Sequence, residues 1–503
     1  MAMPGARAQS GAAFLYQPSL TDPLHTQRFG RAPDPVTRAS APVAPPPPSA
    51  GKTGSDFTGA IGKKRKTAKR KPGEARPPPP PPPPPPGPPQ QAGGHTSAPQ
   101  VAARASYADA YRPPDAPPRR PPVLVQDAFE PVGLRIGTFV LKPSIEVTRG
   151  YDSNPAHIPN GKSSAFTMVE PALQVRSQWS RHEYGFNLRA SYFKYDTLPS
   201  SDRPLVDFKS FSRIDVGRDT TINTESRYFL STDYPGSPNL PADIAKLPIF
   251  TTYGTTAGLT QRFNRLELSA KASLDRTTYR DSQLTDGTTS SNHDRDYNQY
   301  GGQVRAGYEV TPGIRPFVEI SGDSRQHDLG SDRNGFQRDS RSLTPKLGTT
   351  FELTRKLTGE VSLGYLTRHY QDPGLPDLTG AVFDSSLVWM PTGLTTATLT
   401  GSSRGEEVVV AGVSGALRRD VTLQIDHALR RWLIGTLRFG YGFDQYVGSD
   451  RADKRMLLGS AIAYKINREM WLKGEYRYEQ LRSNAANVDY NASVFLIGLK
   501  LQR

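Results

Sequence analysis

The stretch Val421–Asp444 constrains the fold of this chain more than any other part of the sequence. On either side of Arg430–Arg431, apolar and polar residues alternate, as in the run Leu437, Arg438, Phe439. Successive side chains of a β-strand point to opposite faces, so the alternation predicts a hairpin with one apolar and one polar face. A lone hairpin is not stable in water, so this one must join further strands. Its apolar face then meets either a protein core or lipid.

The same alternation recurs from about residue 134 to the C-terminus, and no long segment has the helical period. Turn-forming residues interrupt it at regular intervals, so the sequence predicts eighteen strands. The predicted strands are 134–148, 165–179, 183–197, 205–218, 221–234, 249–262, 265–281, 296–310, 314–326, 337–353, 357–371, 377–390, 394–404, 413–429, 433–446, 452–466, 470–482 and 488–501.

The connections between these strands alternate in length. Tight turns such as Ser180–His182 and Arg430–Arg431 are followed by longer polar loops such as Ser282–Arg295. This alternation is typical of outer-membrane barrels with periplasmic turns and extracellular loops. A soluble all-β fold also alternates apolar and polar residues, but its strands are usually about five or six residues long. We therefore predict an all-β fold: a transmembrane antiparallel up-and-down β-barrel of about 18 strands.

Aromatic residues gather at both ends of the predicted strands. The tryptophans lie close to tight turns, at Trp179, Trp389, Trp432 and Trp471. Eight tyrosines lie near long loops: Tyr151, Tyr195, Tyr234, Tyr279, Tyr297, Tyr370, Tyr446 and Tyr490. Both residue types also favour strands in general, but that preference does not place four tryptophans at one rim. The pattern predicts two interfacial girdles.

The polar faces of the predicted strands mix both signs of charge. If the apolar faces meet lipid, these side chains point into the barrel, where they would hydrate a pore and set its charge preference. Strand parity selects the candidate pore-lining residues, which are Arg189, Lys271, Asp275, Arg438, Asp444, Lys473, Glu475 and Arg477.

Residues 1–122 have neither period, and ten consecutive prolines occupy Pro77–Pro86. We predict a disordered Pro-rich basic periplasmic tail over 1–122 and the barrel over 123–503.

Ala6-Arg7-Ala8 is similar to the end of a leader peptide but follows no apolar run, so a truncated leader and a chance match both stay open. The basic cluster fits solvated charge, contact with an anionic envelope polymer, or nucleic-acid binding. Its basic residues are Lys63, Lys64, Arg65, Lys66, Lys69, Arg70 and Lys71.

The distribution of charge argues against a nucleic-acid-binding domain. The chain carries a net charge of +15, but residues 1–122 hold 17 basic and 6 acidic residues, which leaves about +4 for the remainder.

The chain has no cysteine, and its eight histidines show no metal-ligand spacing, so we predict no cofactor or metal. A G-x-S-x-G match at Gly401–Gly405 leads from a strand into a predicted loop rather than a helix. We therefore predict no enzymatic activity.

The segment Pro143–Pro155, PSIEVTRGYDSNP, resembles the first strand and loop of the β-barrel porin type 2 family of proteobacterial outer membranes. The resemblance extends loosely over about 130–503 and implies an outer-membrane barrel. Some relatives are linked to exported polysaccharide. Outer-membrane barrels usually end in an aromatic residue that the assembly machinery recognises, whereas this chain ends at Arg503.

Two functions remain open from the sequence, with a hydrolase whose catalytic groups lie on the loops as a distant third. The first is a channel for small hydrophilic solutes or an exported saccharide, embedded in outer-membrane lipid. The second is an envelope-docking protein, whose barrel anchors a tail that reaches a cell-wall polymer or polysaccharide-export components.

Overall fold

A computed structural model of the protein describes residues 129–240, 244–354 and 356–503. The predicted tail, including the basic cluster Lys63–Lys71, lies outside the described residues. Eighteen long strands, numbered here in chain order, form the fold. They are β1 (Phe139–Asp152), β2 (Ser164–Ser177), β3 (Glu183–Tyr195), β4 (Arg203–Asp215), β5 (Thr220–Thr232), β6 (Ile249–Phe263), β7 (Leu266–Tyr279), β8 (Tyr297–Tyr308), β9 (Ile314–His327), β10 (Ser340–Thr354), β11 (Leu357–Tyr370), β12 (Leu378–Trp389), β13 (Thr395–Val410), β14 (Val413–Arg430), β15 (Leu433–Val447), β16 (Ala452–Lys465), β17 (Met470–Ser483) and β18 (Tyr490–Gln502).

Each strand pairs antiparallel with the next, and the sheet closes on itself where β1 pairs with β18. In that closing pair, Val147 lies opposite Leu499 and Tyr151 lies opposite Phe495. Closure satisfies the hydrogen-bonding groups of what would otherwise be two open edges. The predicted fold class, an antiparallel all-β barrel of eighteen strands, is confirmed.

Two predicted strand boundaries are wrong. Gly137 adopts a positive φ of 58° and breaks the predicted first strand, so Leu134–Ile136 folds back as a short strand on the start of β1. The strand predicted at 394–404 extends to Val410, because its pairing with β14 continues through Glu406 opposite Ala416. A two-residue turn at Ala411 and Gly412, the latter with φ of 74°, therefore replaces the predicted loop.

The remaining elements are small. Two short 3₁₀ turns lie at Pro199–Ser201 and His293–Arg295. Three short strands, Ile244–Lys246, Ser282–Leu284 and Thr289–Ser290, form a separate sheet within the connections that follow β5 and β7. Across the described residues, no helix has the length and apolar character needed to cross a membrane.

The two faces of β15 show which side of the wall is inside. Leu437 and Phe439 are 59% and 45% exposed, whereas Thr436 and Arg438, which alternate with them along the strand, are 1% and 5% exposed. The exposed side chains are apolar and the buried ones are polar, which is the reverse of a soluble protein. The barrel therefore presents an apolar outer surface and a polar interior, as expected for strands in lipid.

The strand connections define two rims. Among the described residues, the turn rim carries the connections at residues 178–182, 216–219, 264–265, 309–313, 356, 390–394, 431–432 and 466–469. The loop rim carries those at 153–163, 196–202, 233–240, 244–248, 280–296, 328–339, 371–377, 411–412, 448–451 and 484–489. The first described residues lie at the turn rim, where the backbone N–H of Gln178 donates to the carbonyl oxygen of Thr138 at 2.7 Å.

Candidate functional site

The eight predicted pore-lining residues lie on the inward face of β3, β7, β15 and β17. Most of their side chains are buried, and Lys271 is half-buried. The placement agrees with the parity argument, because alternate residues of each strand share a face. Whether these residues line a path for solutes remains a prediction.

Most of these charges are compensated by an oppositely charged side chain on the same strand or on a nearby strand. Arg189 lies 2.5 Å from Glu170, and Asp275 lies 2.9 Å from Arg227. Arg477 lies 2.5 Å from Glu479 and 3.9 Å from Glu475. Buried charges are stable only when they are paired and hydrogen-bonded. The interior wall is therefore a network of opposite charges rather than a field of one sign.

Lys473 illustrates how the barrel seam uses such a pair. Its Nζ lies 2.6 Å from Glu146 Oε2, so the pair joins β17 to β1 across the intervening strand β18. Gly498 of β18 lies opposite Lys473 and opposite Thr148 in register, and a Cβ at Gly498 would come within 2.6 Å of Thr148 Oγ1 and 3.1 Å of Glu146 Oε1. The missing side chain leaves room for the ion pair to cross the strand.

The densest network lies in the wall formed by β14–β16. Arg455 lies 2.7 Å from Asp420 and 2.6 Å from Asp444. Arg418 also reaches both carboxylates, at 3.2 Å and 3.8 Å. Sequence reasoning found Asp444 but missed Arg418, Asp420 and Arg455. All three residues occupy the inward-facing alternate positions of β14 and β16, and the alternation in the sequence could have identified them.

The tyrosines near the loop rim correct the prediction of a second outer girdle. Tyr151 is exposed, but Tyr195, Tyr446 and Tyr490 are buried and point inward. The Tyr195 hydroxyl accepts a hydrogen bond from Arg203 at 2.7 Å and lies 3.3 Å from an Asp152 oxygen. A buried tyrosine hydroxyl needs such a partner.

Arginines also lie over several tyrosine rings at this rim. Three guanidinium carbons lie within cation–π range of ring centroids: Arg295 at 3.8 Å from Tyr279, Arg451 at 4.6 Å from Tyr446 and Arg325 at 5.4 Å from Tyr297. The loop rim therefore carries an inner layer of tyrosines and arginines, which the sequence pattern alone did not reveal.

The tryptophans lie at the turn rim, as predicted, and Trp179, Trp389 and Trp432 are exposed on the outer surface. The prediction that Trp471 belongs to this girdle is wrong. Its position in β17 has the same parity as Lys473, so its ring is buried inside the barrel, 4.7 Å from Lys465 Nζ. The nearby turn correctly indicates the position of Trp471 along the barrel axis, but it does not indicate whether the side chain points outward or inward.

The tip of the β13–β14 hairpin, residues 405–416, leans over the interior. Glu407 lies 3.3 Å from Arg325 and 2.9 Å from His327 Nε2, both of which belong to β9. Arg338 donates to the carbonyl oxygens of Val408 at 2.7 Å and Val413 at 3.1 Å. These contacts bind the hairpin tip to strands and loops that are not its neighbours in the sheet.

The same tip meets a loop from the far side of the barrel. The backbone N–H of Val409 donates to Asn239 Oδ1 at 2.8 Å, and Asn239 lies in the loop between β5 and β6. That loop is joined to the next one by Arg295, which lies 2.6 Å from Asp233. A contact between such distant strands is possible only across the opening. The described loops therefore meet over the loop-side entrance.

Two histidines in the loops respond to opposite environments. His157 is buried and stacks on Tyr490 with ring centroids 4.9 Å apart. Burial, aided by Arg203 and Arg477, lowers the pKa of His157 well below its usual value. His293 is exposed, and a hydrogen bond to Asp296 raises the pKa of its imidazole.

The G-x-S-x-G match does not form a nucleophile elbow. Gly401, Ser403 and Gly405 all lie within β13, and Ser403 Oγ accepts a hydrogen bond from the backbone N–H of Phe383 at 3.1 Å. The elbow requires a strand–turn–helix context, which is not present at these residues.

The closed barrel with an apolar exterior and a charged interior defines the class of outer-membrane β-barrels. A family model described as "Putative beta-barrel porin 2" matches residues 127–503, and the chain belongs to that family. The resemblance found in the sequence is thereby confirmed. A comparison with curated proteins gives no match.

Solved barrels are similar to this chain at low identity. OccK2 (OpdF) of Pseudomonas aeruginosa is 13% identical, with 72% of this chain and 98% of that chain covered and a TM-score of 0.39. A BenF-like porin of Pseudomonas fluorescens is 13% identical, with coverages of 72% and 99% and a TM-score of 0.37. The FrpB iron transporter of Neisseria meningitidis is 8% identical, with coverages of 72% and 81% and a TM-score of 0.38. At this similarity, the ligands of those proteins say nothing about the solute of this one.

Proposed function

We propose that the protein is an outer-membrane channel for small hydrophilic solutes or an exported saccharide chain. The observation that supports this proposal is the charged inward face, which continues around the barrel from Glu146 in β1 to Glu479 in β17. Eighteen strands enclose an interior wide enough for water, and paired charges of both signs hydrate a pore without trapping either type of ion. The eight parity-selected residues contribute to this lining.

The loops over the entrance indicate how the channel is controlled. Passage at the loop rim requires the β13–β14 tip to separate from Asn239 and from Arg338. We therefore expect a channel of low basal conductance that rises when these contacts are broken. The gate would work by moving a hairpin and its loops, while the strand ladder below stays intact.

Planar-bilayer recording of the refolded full-length protein tests this function. The native protein should show small or infrequent current steps, and Arg338→Ala should show larger or more frequent ones. Arg341→Ala, which changes an exposed arginine on the outward face of β10, is the matched control. If neither the native protein nor Arg338→Ala conducts ions while both are correctly folded, the channel proposal fails.

A second function, docking to the cell envelope, is favoured by where the barrel chain begins. Trp179 Nε1 donates to Thr138 Oγ1 at 3.0 Å, and Lys142 lies 2.8 Å from Glu130, so residues 130–142 lie at the turn rim. We propose that the turn rim faces the periplasm, so that residues 1–122 precede the barrel on its periplasmic side. Deleting residues 1–122 should then reduce co-sedimentation with purified cell wall and leave conductance unchanged. Full cell-wall association of the deletion variant would rule out docking.

A further inference from the structure

Three cations form a row on the outer surface of β14–β17. Arg419 lies opposite Phe443 in register, Phe443 lies opposite Lys454, and Lys454 lies opposite Arg482. All four residues have the outward parity of their strands, opposite the inward Arg418, Asp444, Asp453 and Leu481. Neighbouring strands are about 4.8 Å apart, so the three cations fall within roughly 15 Å of one another. Such a row is unusual on a surface that faces lipid.

Two of these cations have no acidic partner. Among the described residues, no carboxylate lies within ion-pair distance of Arg419 or Lys454, and Arg419 donates only a long hydrogen bond of 3.4 Å to the Ala381 carbonyl. Arg482 lies 3.8 Å from Asp489. By contrast, the outward-facing Arg149 at the same end of the barrel forms a salt bridge with Asp196. The row therefore carries uncompensated positive charge, which an anion can neutralise.

An apolar groove of about 390 Å³ lies on the same strands, farther from the loop rim. Its outward-facing lining consists of Leu423, Ile425, Leu437, Phe439, Leu458, Ser460 and Tyr476. Ser460 is the smallest side chain of this outward-facing lining, so the wall surface is lowest at this position. From Arg419 to Leu423 and Ile425 the chain advances four to six residues, which is about 13–20 Å along an extended strand.

We propose that the cationic row and the groove together bind one phosphorylated lipid of the outer leaflet, of the lipid A kind. Its phosphate lies on Arg419 and Lys454, and one acyl chain follows the wall into the groove. Arginine and lysine form strong charge-assisted hydrogen bonds with phosphate oxygens, and the groove accommodates the chain that the headgroup carries. The assignment to the outer leaflet rests on the proposed orientation, with the loop rim outside.

Native mass spectrometry of the full-length protein in detergent tests the site. The probes are bis-phosphorylated lipid A and the same lipid without its phosphates. The native protein should retain the phosphorylated form about a hundredfold more strongly, because each of the two charge-assisted bonds contributes a factor of about ten. The double variant Arg419→Gln/Lys454→Gln should abolish this preference, and Ser460→Leu, which fills the groove, should weaken retention of both lipids. Folding of each variant is checked by circular dichroism and by its altered migration on unheated gels.

Arg149→Gln is the matched control, because it removes an outward cation at the same end of the barrel outside the row. It should leave retention unchanged. Equal retention of phosphorylated lipid A by the double variant would overturn the site, and so would equal retention of phosphatidylglycerol by the native protein. Conductance is recorded on the same samples, because a protein that conducts no ions but keeps the phosphate preference would refute the channel and not the lipid site.

Discussion

The two rims of the barrel hold aromatic residues in opposite ways. At the turn rim, Trp179, Trp389 and Trp432 face outward, where an amphipathic ring fits the membrane interface. At the loop rim, Tyr195, Tyr446 and Tyr490 face inward. The difference follows from the loops, because the turn rim has only short turns, whereas most connections at the loop rim are longer and supply arginines and carboxylates to buried hydroxyls and rings.

This comparison shows that the height of an aromatic residue along a barrel does not determine its role. We expect an outward tryptophan to anchor the barrel at the membrane interface, so its loss should affect mainly local packing. We expect an inward tyrosine or arginine at the loop rim to hold the loops together over the entrance, so its loss should separate them. The following predictions test this division, from the largest expected effect to the smallest.

Arg338→Ala should have the largest local effect. Its guanidinium is 1% exposed, and removal leaves the equally buried Asp332 carboxylate unpaired. We expect the loop rim to lose about 3–5 kcal/mol of local stability. Hydrogen–deuterium exchange should rise in residues 328–339 and 405–416 while the turn rim keeps its protection. Equal protection of these segments in the variant would contradict the view that Arg338 holds the entrance closed.

Trp471→Ala should destabilise the whole barrel, because this ring is the turn-rim tryptophan that faces inward. Removing a buried tryptophan side chain usually costs about 3–5 kcal/mol. Chemical unfolding in detergent measures the free energy of unfolding. A cost no larger than that of an outer-girdle substitution would show that Trp471 does not pack inside the wall.

Trp432→Ala is the matched outer-girdle variant. Trp432 packs edge-to-face on Tyr464, with ring centroids 5.2 Å apart, and both rings are exposed. The loss of this aromatic pair should cost about 1 kcal/mol in the same unfolding measurement. Ion conductance and hydrogen exchange at the loop rim should not change. A change in either would show that the outer tryptophans at the turn rim affect the loop rim, against the division proposed above.

Acidification should weaken the loop between β1 and β2 through His157. Because the folded-state pKa is depressed, this histidine resists protonation in the fold, so stability is lost as the pH falls below the unfolded value of about 6.5. Arg203, Arg477, Glu479 and Tyr490 surround the ring. Hydrogen exchange in residues 153–163 should therefore rise between pH 7 and pH 5. His157→Gln should remove the pH dependence, and its persistence in that variant would exclude His157 as the cause.

His293 should respond in the opposite direction. The hydrogen bond to Asp296 raises the pKa of His293. The contribution of this pair to loop stability is therefore complete below the unfolded-state pKa and is lost as the pH rises through the folded-state pKa. Exchange in residues 280–296 should therefore increase from pH 6 to pH 8, and His293→Asn should be insensitive to pH over that interval. An unchanged pH response in His293→Asn would assign the effect to another group.

The alternation of apolar and polar residues was enough to determine the eighteen strands, their two faces and the charged interior. Leu437 and Arg438 could be assigned to opposite sides of the wall because strand geometry makes alternate side chains point in opposite directions. The pattern failed where the backbone departed from it: Gly137 moved the start of the first long strand to Phe139, and the turn at Ala411 and Gly412 allowed another strand to continue to Val410.

Only the tertiary structure decided what lies over and around that wall. The contact between Val409 and Asn239 joins residues 170 positions apart, and the row of Arg419, Lys454 and Arg482 depends on the register of four strands. No local period encodes such placements, because they depend on ring closure and on how the loops fold. The sequence by itself determined a barrel with a charged interior, and long-range register and loop packing decided how its loops meet over the entrance and which outer surface carries uncompensated charge.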